Sequence, residues 1–267
     1  MFFNKFLIKY SLSSGKSFIW NSNAKNLKVV KNFKYININL LTGIERQKIT
    51  IVKNTENFAK GNFTNNALLW GSRGNGKSSL VKAIFFEINK NYNKLKLLQL
   101  NKNDIFDIEK IYELLTNFSN YRFIIFIDDL SFETIDHDYK IIKSTLDGSI
   151  QNQPNNILLY VTSNRRHLMP RDMIDNERSS AIHTDESVEE KISLSDRFGL
   201  WIGFHNLSQN DYIEIIRKYC DEFNLSFNED IKKESIKWSL QRGNRTGRTA
   251  WQFILNHSAV NNKKINV

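Results

Sequence analysis

The 267-residue sequence contains one cysteine and two prolines. A disulfide within the chain needs two thiols, so the single Cys220 excludes one, and it also excludes a cysteine-based zinc site. The two prolines, Pro154 and Pro170, do not form a proline-rich linker. The five histidines are scattered without metal-ligand spacing, so we expect no histidine-based metal site.

Long apolar runs are missing as well. No stretch approaches the roughly 20 apolar residues that a transmembrane helix needs. The first nine residues mix lysine with phenylalanine and leucine, and they lack a separate apolar region and a small-residue cleavage site. We therefore expect a cytoplasmic protein without a membrane partner.

The charge balance is basic, with 38 lysines and arginines against 28 acidic residues and a net charge of +10. This excess allows a nucleic acid or another anionic partner. However, the lysines are scattered and accompany abundant asparagine and isoleucine, which indicates a compositional bias. Since no helix-turn-helix or other nucleic-acid motif is recognisable, a nucleic-acid partner has no support from a motif.

The most informative stretch follows the pattern G-x-x-x-x-G-K-[ST], between an apolar run, Ala67–Trp70, and a helical pattern. The glycines let backbone N–H groups turn towards a phosphate chain, and the following helix directs its positive end at that charge. Lys77 is expected to reach the β- and γ-phosphates, and Ser78 to ligate Mg²⁺. The predicted nucleotide-binding residues are Gly71, Ser72, Arg73, Gly74, Asn75, Gly76, Lys77, Ser78 and Ser79.

Two carboxylates follow the apolar run Phe123–Ile127, which is typical of a central parallel strand buried on both faces. Ligands of open α/β sheets bind at the carboxyl ends of such strands. Asp128 would hold Mg²⁺ or its water, and Asp129 would orient or deprotonate an attacking water. A turn or a helix cap is the usual role of paired aspartates, but the phosphate loop favours the catalytic one.

Two further strands carry polar residues at their ends. Ile157–Thr162 precedes Asn164, whose amide can bind a γ-phosphate and the attacking water together. Arg165 and Arg166 follow, and phosphates, a neighbouring subunit and nucleic acid all remain open as their ligands. Residues 168–187 are polar and weakly periodic, which predicts a loop or a short insertion. Arg197 lies just before a fifth apolar strand, Leu200–Phe204.

The pattern divides the chain into four parts. Residues 1–40 are predicted to be a partly ordered segment packed on the core, and residues 41–206 an α/β core with five mainly parallel strands. Residues 207–260 are predicted to form a small all-α lid of three helices, and residues 261–267 a flexible tail. The turn Leu41–Ile44 is either one wall of an adenine pocket or a plain helix start.

Taken together, these motifs resemble the AAA+ superfamily of P-loop ATPases over residues 40–257. The segments that carry the resemblance are Asp128–Glu133, Ser163–Leu168, Ser193–Leu200 and Gly243–Arg248, with the sequences DDLSFE, SNRRHL, SLSDRFGL and GNRTGR. They are similar to an uncharacterised bacterial branch of ATP-binding proteins within that superfamily. The resemblance implies a P-loop NTPase core with a helical lid, and ATP and Mg²⁺ as ligands.

The resemblance also implies roles for single residues. Asn164 matches the first sensor, and Arg197 matches an arginine finger that acts on ATP held by the next subunit, which requires a homo-oligomer such as a ring of six. Arg248 matches the second sensor, ahead of Arg245. The sequence departs from the family pattern at one point. Most AAA+ strands of this kind end in Asp-Glu, whereas this one ends in Asp128-Asp129. Glu133 is therefore a second candidate for the catalytic base, after Asp129.

The predicted function is Mg²⁺-dependent ATP hydrolysis coupled to remodelling of a protein or nucleoprotein partner. No aromatic pore loop is evident, so threading of a polypeptide is not supported. Two alternatives remain open. One is a nucleotide-gated DNA-binding module similar to a helicase loader, and the other is a slow ATP switch or scaffold.

Overall fold

The computed structural model describes residues 2–133, 137–147, 154–168 and 194–265. Most of the loop or insertion predicted at 168–187 lies outside these residues. The sequence also predicts a helix that ends at Gly148 and a helix over Ser187–Ser195, and Gly148 and most of the second helix lie outside the described residues as well.

Within the described residues, the chain forms seven strands and eight α-helices. The strands are β1 Ser17–Asn21, β2 Asn26–Val29, β3 Ala67–Gly71, β4 Leu95–Leu100, β5 Arg122–Ile127, β6 Ile157–Ser163 and β7 Leu200–Phe204. The helices are α1 Phe2–Ser14, α2 Glu45–Lys60, α3 Lys77–Asn89, α4 Ile108–Thr116, α5 His137–Asp147, α6 Gln209–Glu222, α7 Glu229–Gln241 and α8 Gly247–Val260. Two short 3₁₀ turns lie at Ile38–Leu40 and Lys102–Asp107.

All seven strands join one sheet in the order β2-β1-β4-β5-β6-β3-β7. Every neighbouring pair is parallel except β1 and β2, which form an antiparallel hairpin. The prediction of a mainly parallel α/β sheet is confirmed, but the predicted count of five strands is wrong. The two additional strands come from the segment before residue 41, and β1 pairs with β4 at the edge of the predicted core.

The N-terminal hairpin is held to the core by a buried carboxylate. The Trp20 indole donates to Asp107 Oδ2 at 3.0 Å, and the Lys25 ammonium contacts both oxygens of Asp107 at 2.7 and 2.9 Å. Asp107 is fully buried, and these partners hold the pKa of its carboxyl below the ordinary value in spite of burial. A buried carboxylate is stable when it is paired and hydrogen-bonded in this way.

Apolar side chains cover both faces of the sheet because the central strands are almost continuously apolar. One face packs against α1, α4 and α5, with Ile125 and Leu159 among its buried residues, and the other against α2 and α3, with Phe126 and Phe85. A third apolar cluster, around Tyr212, holds α6, α7 and α8 together.

The three C-terminal helices begin at side-chain caps. Ser208 accepts from the backbone nitrogen of Asp211, whose carboxylate accepts from Ser208 in return, so α6 begins with a capping box. Asn228 and Thr246 cap α7 and α8. None of the helices in the described part of the chain is long and apolar enough to span a bilayer.

Candidate active site

The carboxyl ends of three neighbouring strands, β5, β6 and β3, bring the predicted site together. Trp70 lies opposite Ser163 in the sheet, and Ile127 lies opposite Val161. The next residues along these strands therefore emerge at one edge. Open parallel α/β sheets bind their ligands at the carboxyl ends of their strands, at the point in the sheet where the strand order reverses.

The phosphate loop depends on glycine at its first and last turns. Gly71 has φ of 131°, and a Cβ there would lie 2.0 Å from the carbonyl oxygen of Phe204. Gly76 has φ of 89° and caps α3 without a side-chain hydrogen bond. Since no side chain caps them, the first N–H groups of α3 are available to an anion.

Lys77 connects this loop to β6. Its ammonium donates to the carbonyls of Gly71 and Ser72 at 2.7 and 2.9 Å, and to Asn164 Oδ1 at 3.2 Å. Burial lowers the pKa of Lys77 to about 8, although Asp129 and Asp128 act in the opposite direction. Hence the ammonium lies within reach of both predicted carboxylates and of the predicted sensor.

Ser78 and Asp128 present an oxygen pair suited to Mg²⁺. The Ser78 hydroxyl donates to Asp128 Oδ1 at 2.5 Å. No cluster of three or more histidine, cysteine or acidic residues with metal-binding geometry occurs in the described segments. This donor set fits Mg²⁺, which takes few protein oxygens and fills its remaining positions with waters and substrate phosphates.

Thr162 is a site residue that the sequence analysis missed. Its hydroxyl donates to Asp128 Oδ1 at 2.6 Å and accepts from the backbone nitrogen of Asp129 at 3.0 Å. Thr162 is 1% exposed. In the sequence it is one of several residues of an apolar strand, and only the pairing of β5 with β6 brings it to the carboxylates.

Asp129 has a left-handed backbone, with φ of 54°. Few residues other than glycine adopt this conformation, although aspartate tolerates it better than most. The amide of Asn164 donates to Asp129 Oδ1. Because the Asn164 oxygen also accepts from Lys77, one amide connects the predicted base to the phosphate-binding lysine.

A cavity beside the loop is lined by the turn Leu41–Ile44 together with Gly76, Leu207 and Tyr219. Asn75 also lines it and donates to the carbonyl of His205 at 2.9 Å. The hydroxyl of Thr42 and Oδ1 of Asn75 are buried without a hydrogen-bond partner among the described residues. The same turn directly precedes α2, whose N-cap is Ile44, so both interpretations of the turn stay open.

The lid contacts the phosphate loop directly. The backbone nitrogen of Arg248 donates to the carbonyl of Gly74 at 3.2 Å, and a Cβ at Gly74 would lie 2.8 Å from the Thr246 hydroxyl. The charges of Arg248 and Arg73 contribute to lowering the pKa of Lys77. The Nε of Arg245 is buried without a partner in the described part of the chain.

Arg197 is not brought to this edge. It precedes β7, which runs parallel to β3, so it lies near the amino end of the strand while the phosphate loop follows the carboxyl end of β3. The five residues of β7 span about 17 Å. Arg197 of the same chain is therefore too far away to contact a phosphate in the loop.

Arg165, Arg166 and Glu133 make contacts of their own. Arg165 forms an ion pair of 2.9 Å with Glu133 and donates to the carbonyl of Phe132. The guanidinium of Arg166 lies 5.3 Å from the ring of Trp70 and 4.7 Å from that of Trp201. The pairing of Glu133 with Arg165 weakens its case as a substitute base.

Comparisons with known proteins identify a family for the chain and structures with the same fold. A family model described as "Protein of unknown function (DUF815)" matches residues 13–261. No curated protein matches the chain.

Solved structures of AAA+ ATPases share the fold. RuvB of Thermotoga maritima, described as a Holliday junction branch migration motor, is 19% identical, with a TM-score of 0.51 over 86% of this chain and 68% of its own. Domain III of the replication initiation protein DnaA of Thermotoga maritima is 13% identical, with a TM-score of 0.54 over 84% and 88%. The ORC1 protein of Aeropyrum pernix, solved in complex with DNA, is 14% identical, with a TM-score of 0.56 over 84% and 62%. Identities this low show a common fold alone.

Proposed function

The chain belongs to the family described as "Protein of unknown function (DUF815)", and from this premise we propose that it is a Mg²⁺-dependent AAA+ ATPase. The observation that carries the proposal is the chain of contacts Lys77–Asn164–Asp129 beside the Ser78–Asp128 pair. These contacts bring a phosphate-binding cation, a candidate base and a metal-binding oxygen pair to one sheet edge. If Asp128 and Asp129 only formed a turn or a helix cap, they would not need the Lys77 ammonium beside them.

Binding of ATP uses the loop and the turn beside it. The N–H groups of the loop and of the first turn of α3 hold the phosphates, and the Lys77 ammonium contacts the β- and γ-phosphates. Ser78 and Asp128 would hold Mg²⁺, which supplies charge neutralisation on the phosphates when bound. The cavity beside Leu41–Ile44 takes the adenine ring.

Hydrolysis follows from the position of Asp129. A water oriented by Asp129 and Asn164 attacks the γ-phosphorus, and its proton passes to the Asp129 carboxylate while the bond to the bridging β,γ-oxygen breaks. Lys77 stabilises the charge that develops on the transferred phosphoryl group. Asn164 binds both groups and fixes the position of the Asp129 carboxylate relative to the Lys77 ammonium.

Arg197 acts in trans on the neighbouring protomer's ATP, and Arg248 acts in cis from the lid. The separation of Arg197 from its own phosphate loop supports the first role, and the contact of Arg248 with Gly74 supports the second. A finger in trans requires a homo-oligomer, for which a ring of six is the expected form. Nucleotide-dependent movement of the lid would then remodel a protein or nucleoprotein partner.

The test is the Asp129→Asn variant, with Glu133→Gln as the matched control. We expect Asp129→Asn to bind ATP as tightly as the wild type and to lose roughly 10²-fold or more in turnover, as for a missing general base. Glu133→Gln should hydrolyse at the wild-type rate. Wild-type turnover by Asp129→Asn would remove this carboxylate from the mechanism. On ATP, Asp129→Asn should also retain its partner in a pull-down instead of releasing it.

A further inference from the structure

The basic charge of the chain is concentrated at its beginning. Residues 1–44 contain seven lysines and no acidic residue, so they carry a net charge of +7. Residues 45–267 contain 31 basic and 28 acidic residues, a net charge of only +3. Seven of the ten net positive charges of the chain thus lie in its first 44 residues.

Three lysines of adjacent strands form a row at one end of the sheet. Ser17 pairs with Val30 through a 2.9 Å backbone hydrogen bond, so Lys16 and Lys31 come opposite each other at the end of the hairpin. The carbonyl of Lys16 accepts from Leu97 at 3.1 Å, which brings Lys96 beside Lys16. Neighbouring strands lie about 4.8 Å apart. Like charges at such positions destabilise a sheet.

The row has no anionic partner in the described part of the chain. Lys96 is 5% exposed, and its ammonium donates to the carbonyl of Gly15 and lies 5.2 Å from the ring of Tyr121. Burial and the charge of Lys16 both lower the pKa of Lys96. By contrast, Lys25 of the same hairpin is neutralised by Asp107.

Further exposed lysines extend the row on both sides. Lys28 lies on the edge strand β2, Lys34 follows the hairpin, and Lys94 precedes β4. None of them forms an ion pair with a described residue. Because Lys96 is buried, we call the five exposed lysines together the N-terminal basic edge: Lys16, Lys28, Lys31, Lys34 and Lys94. Lys16, Lys31 and Lys94 lie at one end of neighbouring strands, and Lys28 lies on the adjoining edge strand.

We propose that the N-terminal basic edge binds the phosphate backbone of a nucleic acid. Rows of lysine without counter-charges bind phosphates by releasing condensed counterions. Tyr35 adds an aromatic ring beside Lys34, because it stacks on Phe86 at 4.0 Å and remains 47% exposed. Exposed aromatic rings beside a basic track can stack on bases.

A nucleic acid fits this surface better than an anionic membrane does. Proteins that bind to a membrane surface usually insert large apolar side chains beside their lysines. In residues 8–44, the exposed large side chains are the tyrosines Tyr10 and Tyr35, which carry polar hydroxyls. Of the aliphatic side chains of the hairpin, Leu27 is buried in the core, and Ile19 and Val29 are half-buried.

The basic edge is separate from the candidate active site. The row lies at the amino ends of β1 and β4, whereas the phosphate loop follows the carboxyl end of β3, and all three strands run in the same direction. The inference therefore does not rest on ATP hydrolysis. Loss of the basic edge should leave basal ATPase activity unchanged.

The test measures binding of a labelled DNA duplex, its single strand and the matching RNA by fluorescence anisotropy, between about 50 and 200 mM salt. The variant replaces Lys16, Lys28, Lys31 and Lys34 by glutamine. We expect at least one of the three probes to bind the wild type, and the variant to bind it roughly tenfold or more weakly, with a salt slope smaller by about three. The Lys31→Gln/Lys34→Gln double variant should show about half of that decrease in the salt slope.

The matched control removes the same charge from exposed positions elsewhere, at Lys53, Lys140, Lys233 and Lys237. It should bind like the wild type. The proposal is overturned if no probe binds the wild type at low salt, or if the control loses as much affinity as the edge variant. Vesicles containing phosphatidylserine are a third arm. Binding of the wild type to them, with no binding of any nucleic acid, would replace the proposal by a membrane site.

Discussion

The hydroxyl of Thr162 donates a 2.6 Å hydrogen bond to Oδ1 of Asp128. The same hydroxyl accepts from the backbone nitrogen of Asp129, so one side chain of β6 fixes both acidic residues that follow β5. Asp128 faces Ser78 in this arrangement, and Asp129 faces Asn164. Thr162 contacts the groups that would hold the metal and the water, and it is a positioning residue.

Replacing Thr162 by valine keeps the shape of the side chain and removes the hydroxyl. We expect turnover to fall about 10–100-fold, and the Mg²⁺ concentration for half-maximal activity to rise similarly, as when a hydrogen-bond partner of a metal ligand is lost. Thr162→Ser keeps the hydroxyl and should restore both values. An unchanged Mg²⁺ dependence in Thr162→Val, with an unchanged melting temperature, would show that Asp128 holds its position without this bond.

ATP affinity should depend on pH through Lys77. In the free protein the pKa of Lys77 is about 8, so below that pH the ammonium is already present and affinity is level. Above pH 8, binding must take up a proton, and each pH unit costs up to about tenfold in affinity. Isothermal titration calorimetry on either side of pH 8 measures this. Lys77→Arg keeps its charge, so any affinity that it retains should be level across the range.

The same pKa predicts how stability changes with pH. Between pH 8 and the ordinary lysine value of 10.5, the unfolded chain binds more protons at this position than the folded one. The contribution of Lys77 to the free energy of unfolding should therefore rise across this window. Comparing wild type and Lys77→Met by urea denaturation isolates that contribution, since methionine does not titrate. A pH-independent difference between the two would contradict the lowered pKa.

Arg197→Ala should bind ATP normally and lose turnover by about 10³–10⁵-fold, the contribution of a finger in related P-loop enzymes. Mixing it with Asp129→Asn gives the sharper measurement. In a mixed oligomer, an Asp129→Asn protomer supplies its intact Arg197 to the intact site of an Arg197→Ala protomer. We expect ATPase activity to reappear on mixing, although each variant alone is inactive. If Arg197→Ala turned over at the wild-type rate at all protein concentrations, the finger in trans would be excluded.

The two lid arginines should differ in their effect on nucleotide binding. Arg248 lies next to the loop that its backbone contacts, and its charge reaches Lys77. We therefore expect Arg248→Ala to weaken ATP binding roughly 5- to 150-fold, the 1–3 kcal/mol of a lost charged contact. Arg245→Ala is the matched control and should leave ATP affinity unchanged. The reverse result would assign the sensor to Arg245.

Continuous apolar strands and short motifs made the centre of the fold predictable. The strand Phe123–Ile127 can hardly be anything but a buried parallel strand, and the glycine pattern after Trp70 has one common structural use. From these two elements alone, Lys77, Ser78 and Asp128 could be expected at one edge. In the structure Ser78 contacts Asp128, and the charge of Asp128 acts on Lys77.

What the sequence did not reveal depends on contacts between distant residues. The strands Ser17–Asn21 and Asn26–Val29 are short and partly polar, and the Trp20–Asp107 bond that secures their hairpin joins residues 87 positions apart. Local periodicity carries no information about such a bond. Thr162 was missed for a similar reason, because threonine is an ordinary residue in a strand and its role exists only through the register of β5 and β6.

The hydrogen bond between Gly74 and Arg248 couples movement of the phosphate loop to movement of α8. Its amino end is attached to the phosphate loop, and its 14 residues give it a length of about 21 Å. A tilt of about 10° at the loop would displace the far end by about 4 Å on that length. Val260 is 74% exposed at that far end, so a fluorophore attached there would report such a movement.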